Sequence, residues 1–287
     1  MNTARSVTGI GVAVAFGAIV VSAGSAGGAT RAGIPVFAWC ALIAFGLQWL
    51  AFLPAWLAHS ERFFDLTGSV TYLTVVLVAL VASPEPGSRA LLLGAMVVVW
   101  ATRLGSFLYA RVHATGSDSR FDDMKHRFAW FLMTWTLQGL WVILTAAAAL
   151  GAITAVDQPN LGPLDAVGLL VWASGLVFEV VADQQKRRFR SAAQNQGRFI
   201  SSGLWARSRH PNYLGEIVLW VGVALVAAPA LSGWSLLTLV SPVFVFFLLT
   251  RVSGLPLLEA TADRRWGGNS DYEAYKSTTP ALVPRIR

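Results

Sequence analysis

Eight long apolar stretches constrain this chain more than any other feature. They fall near residues 7–27, 36–58, 67–83, 89–110, 128–153, 163–182, 212–230 and 233–252. A bilayer core about 30 Å thick takes roughly 20 apolar residues of helix. Backbone polar groups find no water there, so runs of this length span as helices. The pattern predicts an all-α, polytopic transmembrane helix bundle of seven or eight spans. The third stretch is short and the sixth carries Glu179, so partial re-entry is the alternative for those two. The first has the look of a signal peptide, with Arg5 ahead of an Ala/Gly/Val-rich run. It is long, however, and another span follows almost at once. Residues 1–35 are therefore read as an additional N-terminal transmembrane helix.

Composition agrees. Charged residues make up 13% of the chain, against about 25% in a soluble domain, which argues against a soluble enzyme. High hydrophobicity excludes a disordered chain. The single cysteine, Cys40, excludes a disulfide framework and any cysteine-based metal site. Four scattered histidines form no metal-ligand spacing. The net charge of +7 lies between apolar runs rather than on a soluble basic face, so no nucleic-acid partner is implied.

The basic residues orient the spans. With eight spans, the N-terminus, the loops near 59–66, 111–127 and 183–211 and the C-terminal tail share one side. Of the 22 Lys and Arg residues, Arg31 and Arg89 fall on the other side and Arg103 and Arg251 lie within spans, which leaves 18 on the first. Such a bias places basic loops, and hence both termini, in the cytoplasm. The expected location is a bacterial inner membrane, with any cofactor site facing the cytoplasm.

Ionisable groups within spans are costly and mark candidate sites. Arg103 lies mid-span in WATRLGSFLYAR. Glu179 and Asp183 share a helix face, and Asp183 reaches Arg187 by the same spacing. Glu216 follows the start of the seventh span and Arg251 ends the eighth. For Asp183, Glu216 and Arg251 the alternative is snorkelling at the interface, or pairing that only holds helices together.

From Gln184 to His210 the chain has seven basic residues and no acidic one. Charge alone suits insertion bias or anionic lipid heads. Asn195, Gln196, Gly197, Ser201, Ser202 and Gly203 add hydrogen-bonding groups and glycines, which suit a phosphate-rich ligand. Pro211 suits a helix start, so Arg209 and His210 precede a helix N-terminus, where an anion is favoured. Asn212 and Glu216 follow on one face. The segment therefore points to an anionic cytosolic cofactor bound at the membrane face. No soluble-type fingerprint accompanies it: GIG at 9–11 lacks the third glycine and the βαβ unit of a dinucleotide fold, and P-loop and HExxH motifs are absent.

The run RFISSGLWARSRHPNYLGEIVLW, with DYEAYKSTTPALVP further on, resembles the C-terminal half of the integral-membrane steroid 5α-reductase family. ERFFDLTGSVTYLTV, WATRLGSFLYAR and SRFDDM extend the resemblance, toward bacterial relatives, over roughly 45–287. The RHPxYxGE core is shared with membrane methyltransferases that modify isoprenylcysteine or phospholipids. The FFDLTGS and RLGxFL segments favour the reductase branch, with residues 36–287 as its catalytic domain.

The resemblance implies an NADPH-dependent oxidoreductase that reduces a carbon–carbon double bond conjugated to a ketone, in a steroid or another apolar enone lipid. No obligate protein partner is implied. A glutamate and a tyrosine serve the ketone oxygen in that family. Glu61 aligns with the glutamate. The tyrosine position falls near Trp100, which moves the role to Tyr72 or Tyr109. Asp183, Arg190, Arg198, Asn212 and Glu216 match positions that bind NADPH or support its site, and Arg103 and Arg251 match family arginines. Arg111, Arg209, His210, Tyr213 and Tyr275 complete the cofactor candidates. For Tyr213 and Tyr275 the alternative is interfacial anchoring. The competing activity is an S-adenosylmethionine-dependent lipid methyltransferase. A transporter or lipid-binding membrane protein is the non-enzymatic alternative, with Arg103 and Glu179 lining a pathway.

Overall fold

The computed structural model describes residues 2–115 and 121–284, with side-chain placement for all but 110–115. Among the described residues, eight helices are long and apolar enough to cross a membrane. The protein is an all-α, multi-pass membrane bundle. Seven apolar stretches become α1 (Thr3–Gly24), α2 (Val36–Leu57), α3 (Phe64–Ala82), α4 (Ser88–Thr115), α5 (Phe128–Thr154), α6 (Pro163–Ser191) and α7 (Pro211–Ala227). The third and sixth stretches, α3 and α6, are unbroken helices of 19 and 29 residues.

The eighth stretch is not one α-helix. It runs as a 3₁₀-helix over Gly233–Val240, as α8 (Ser241–Phe247), and as a π-turn over Leu248–Val252. Ser232 and Ser235 cap the 3₁₀ segment reciprocally. The Ser253 amide reaches back five residues to the Leu248 carbonyl at 2.9 Å, which widens the turn. Two short helices follow, α9 (Leu255–Trp266) and α10 (Ser270–Thr278). A two-stranded antiparallel hairpin, β1 (Thr30–Arg31) and β2 (Ile34–Pro35), links α1 to α2.

The chain forms two compact units. The first comprises residues 1–164 and 223–241. Here α5 is the axis, with α1, α2, α3, α4 and the 3₁₀ segment packed around it. From Gln138 to Thr154 nearly every α5 residue is buried, and Ala146, Ala147, Ala148 and Ala149 are fully so. Small side chains let neighbouring backbones approach, which drives packing where lipid offers no hydrophobic contrast. Accordingly Ser241 donates to the Thr145 carbonyl inside this core. One end of the unit holds an aromatic cluster of Phe52, Phe64, Phe121, Phe131 and Trp135. Arg89 is buried and donates to the carbonyls of Pro159 and Asn160, so it ties the start of α4 to the 155–162 connection.

The second unit comprises residues 165–222 and 242–287. α6 and α7 meet through glycines. A Cβ on Gly215 would lie 2.6 Å from the Glu179 amide nitrogen and 2.7 Å from the Gly175 carbonyl; one on Gly175 would lie 2.5 Å from the Leu219 amide nitrogen. The helices pass at backbone distance, as small-residue interfaces allow.

Candidate active site

The segment between α6 and α7 folds over the end of α6. Gly197 and Gly203 take left-handed φ values of 77° and 62°, which L-residues with a side chain adopt reluctantly. Their role is to turn the chain. The Gln185 side chain accepts from the Leu204 amide at 2.9 Å, which fixes the second turn. Trp205 is buried beneath it and donates to the Ala182 carbonyl at 3.0 Å, with the Lys186 ammonium 4.3 Å above its ring.

These turns form one wall of a cleft of about 160 Å³ lined by the end of α6, the 198–210 segment and the helices α9 and α10. Its basic residues include Lys186, Arg190, Arg198 and Arg265. Its aromatic wall centres on Phe199, which stacks on Tyr275 at 5.4 Å and meets Tyr272 and Trp266 edge-on at 5.4 and 5.9 Å. A second cleft of about 610 Å³ shares Phe189, Arg198, Phe199, Trp266 and Tyr275 with the first. The Tyr275 hydroxyl donates to the Trp205 carbonyl at 2.6 Å, and burial pushes it up to about 12. It is a fixed donor at neutral pH.

An ionic node forms part of the cleft lining. The Arg209 guanidinium grips Glu259 with two bonds of 3.1 and 3.0 Å, and donates to the carbonyls of Lys276 and Thr279 at 2.7 Å each. His210 Nε2 lies 2.7 Å from Glu259. Burial holds the His210 ring below its ordinary range, against the pull of Glu259. A neutral ring bonded this way carries its proton on Nε2, which leaves Nδ1 an acceptor, buried and without a partner among the described residues. The 279–281 backbone closes over this node: the Arg209 and His210 amides donate to the carbonyls of Pro280 and Ala281 at 3.0 and 3.1 Å. Arg209, read from sequence as an anion binder, is thus engaged in holding the fold together.

The other cofactor candidates of this unit divide. Arg190, Arg198, His210 and Tyr275 line the cleft. Asp183 is buried on α6, one turn past the buried Glu179. On α7, Asn212 has a buried side-chain oxygen with no partner among the described residues. Tyr213 stacks face to face on His210 at 5.7 Å, and Glu216 lies half-buried one turn beyond Asn212. Arg251 sits exposed in the π-turn. Glu259, Arg265 and Trp266 had no signal in the sequence beyond residue type, whereas Phe199, Trp205 and Tyr272 lie in the runs that carry the resemblance without being singled out there.

In the first unit, Arg103 is half-buried on α4 with its guanidinium 5.4 Å from the Phe107 ring. Arg111 is on α4, but its side chain lies outside the described residues. Glu61 is buried at the turn before α3, and Lys125 bridges to it at 3.4 Å. A carboxylate paired with an ammonium accepts hydrogen bonds, which suits an orienting role better than proton donation. Tyr72 meets Trp100 edge-on at 5.0 Å, so its ring abuts the position where the resemblance expects a tyrosine. Tyr109 is 44% exposed. Of the two, Tyr72 is the less exposed. It lies about 12 Å along the axis from the start of α3, at ~1.5 Å per residue.

A profile for a family of proteins of unknown function, DUF1295, matches residues 49–279. The chain belongs to this family. The DUF1295 match takes in α3 to α10 and leaves out α1 and the first half of α2. Three relatives are similar over part of their length. A probable O-methyltransferase of Ustilaginoidea virens is 28% identical, over 37% of this chain and 45% of that protein. An uncharacterized protein of Schizosaccharomyces pombe is 28% identical, over 40% of each. The 3-oxo-5-alpha-steroid 4-dehydrogenase 1 of Rattus norvegicus is 27% identical, over 43% and 42%. The chain thus spans less than half the length of these curated relatives. No solved structure matches it. The resemblance to the reductase and methyltransferase superfamily holds at this level, and both activities occur among the names of the relatives.

Proposed function

We propose that this DUF1295 protein is an NADPH-dependent reductase of a carbon–carbon double bond conjugated to a ketone, acting on an apolar lipid or steroid. The observation that carries the reading is the charge and aromatic lining of the second unit's cleft. Lys186, Arg190, Arg198 and Arg265 line it, and its one carboxylate, Glu259, is already held by Arg209 and His210. A basic cleft with aromatic walls suits a diphosphate and its bases. S-adenosylmethionine carries a sulfonium cation, which a basic cleft disfavours. The buried acceptors on His210 and Asn212 await donors such as amide or ribose hydroxyl groups. The first cleft is smaller than a whole dinucleotide, so these residues fit parts of the cofactor across both clefts.

NADPH would supply the hydride. The chain's own residues bind and orient: arginines hold phosphates, and Tyr72 serves as the donor to the ketone oxygen, where negative charge develops. Glu61, fixed by Lys125, positions rather than protonates. The methyltransferase reading keeps the similarity to the Ustilaginoidea protein in its favour.

The test is thermal unfolding of the detergent-purified protein with each cofactor. At 100 times its dissociation constant, NADPH should stabilise by about 2.7 kcal/mol, and Arg198→Ala should weaken NADPH more than NADH. A shift with S-adenosylmethionine alone would replace this reading with the methyltransferase one. Topology is proposed as both termini cytoplasmic in a bacterial inner membrane. Reporter fusions after Arg31 and Arg89 should then read as periplasmic, and a cytoplasmic signal from either would overturn it.

A further inference from the structure

The first unit carries a two-part groove that the catalytic reading does not use. Its deeper part, about 490 Å³, is lined by α1, α2 and α5 and is almost wholly apolar: Ile10, Gly46, Leu50, Leu53, Phe128 and Leu132 are typical. Its upper part, about 470 Å³, lies at the tips of α1 and α5, where Asn2, Thr3, Ser6 and Arg127 gather. Phe128 belongs to both parts. Along α1 the lining passes from Ser6 to Ile10 in one turn, and along α5 from Arg127 to Leu132 and Thr136. The change from polar to apolar therefore happens on two helices at one level.

From Phe128 to Thr136 the apolar part extends about 12 Å at ~1.5 Å per residue, most of one leaflet of a bilayer core about 30 Å thick. Gly46 faces open space, since a Cβ there would meet nothing within 4 Å. Trp49 narrows its edge, donating to Thr136 at 3.1 Å. At the polar end Arg127 is exposed. It is the N-cap of α5, with its guanidinium 5.7 Å from the Trp130 ring, and α5 has no acidic residue in its first turn, whereas α1 is already capped by Asn2, which accepts from the Arg5 amide at 2.9 Å. The guanidinium and the start of α5, which has no side-chain cap, favour an anion at that end. Neither a soluble small molecule nor a peptide matches this division of polarity. An amphiphile with one anionic head and a long apolar chain does.

We propose that this groove is a binding site for an anionic glycerophospholipid of the surrounding bilayer, with one acyl chain against α2 and α5 and the phosphate at Arg127. It lies wholly in the first unit and is independent of the cofactor reading.

Native mass spectrometry of the full chain, delipidated in detergent and titrated with dioleoylphosphatidylglycerol or dioleoylphosphatidylcholine, tests the proposal. Phosphatidylglycerol should give one saturable adduct that survives collisional activation at least ten times better than the phosphatidylcholine adduct. Arg127→Gln should abolish that preference. Gly46→Leu starts from a Cβ in open space and should reduce binding of both lipids about tenfold while an unchanged thermal midpoint shows that the fold stays. Equal retention of the two lipids in the wild type, unchanged by Arg127→Gln and Gly46→Leu, would show annular lipid only and overturn the site.

Discussion

The two units are built on opposite plans. The first buries apolar and small residues around α5, with polar side chains such as Gln48, Thr71 and Arg89 hydrogen-bonded among them. The second turns its polar residues inward: the buried residues of α6 are Asp165, Gly168, Gly175, Glu179, Ala182 and Asp183, while Leu170 and Val177 on the same helix are 68% and 61% exposed. Its outer part is held by the Arg209–Glu259–His210 node and by backbone bonds to 280 and 281. Lipid accounts for the difference. A helix facing hydrocarbon gains nothing by hiding leucine, so its interior is free to hold small and charged residues. The unit that concentrates charge is the one with the candidate cofactor cleft.

Removing the central carboxylate should give the largest effect. Glu259→Ala leaves Arg209 and His210 facing each other without an anion, and losing a charge-assisted hydrogen-bond partner in this partly buried node costs about 1.5–3 kcal/mol. Limited proteolysis should then cleave within 255–281 while α1 to α5 stay protected. Uniform resistance would show that the node does not hold the second unit.

The glycine contact comes next. Gly215→Ala places a methyl against the α6 backbone and should destabilise by about 2 kcal/mol. Gly46→Ala in the first unit meets open space and should be neutral or stabilise by up to about 1 kcal/mol. Thermal inactivation of the two variants in one detergent compares them, and equal behaviour would mean that α6 and α7 are not at backbone distance.

The smallest effect is a pH dependence. Burial holds the His210 ring below its ordinary 6.5, so the unfolded chain takes up that proton first on acidification. The stability contributed by the neutral ring is complete above pH 6.5 and is lost as pH falls from there through the lowered folded value. Thermal midpoints between pH 8 and 5 should drop, and should drop less in His210→Gln. A midpoint that rises on acidification would reverse the assignment.

Seven of the eight spans were legible because a run of about 20 apolar residues has one outcome in a bilayer. The break in the eighth was not. An apolar run reads the same whether its carbonyls bond three, four or five residues on; the Ser232–Ser235 cap and the Ser253 reach-back are geometric events. Within the site, Arg190, Arg198, His210 and Tyr275 could be gathered from charge and resemblance. Arg209 was read as an anion binder, and its grip on Glu259 was hidden, because spacing cannot say that a residue fifty positions on will face it. Lys125 was equally hidden from Glu61. Phe199, Trp266 and Tyr272 lie up to 73 residues apart in the sequence and meet only because α9 and α10 bring them together.

The enclosure of α5 bears on how this family can drift. A helix in contact with lipid is filtered for greasiness, and exchanges among leucine, valine and phenylalanine pass. α5 rarely meets the bilayer, so it is filtered for volume. At Ala146–Ala149 a serine should be a milder change than a leucine, although leucine is the more membrane-like residue. Hydropathy would rank those two substitutions in the wrong order on this one helix.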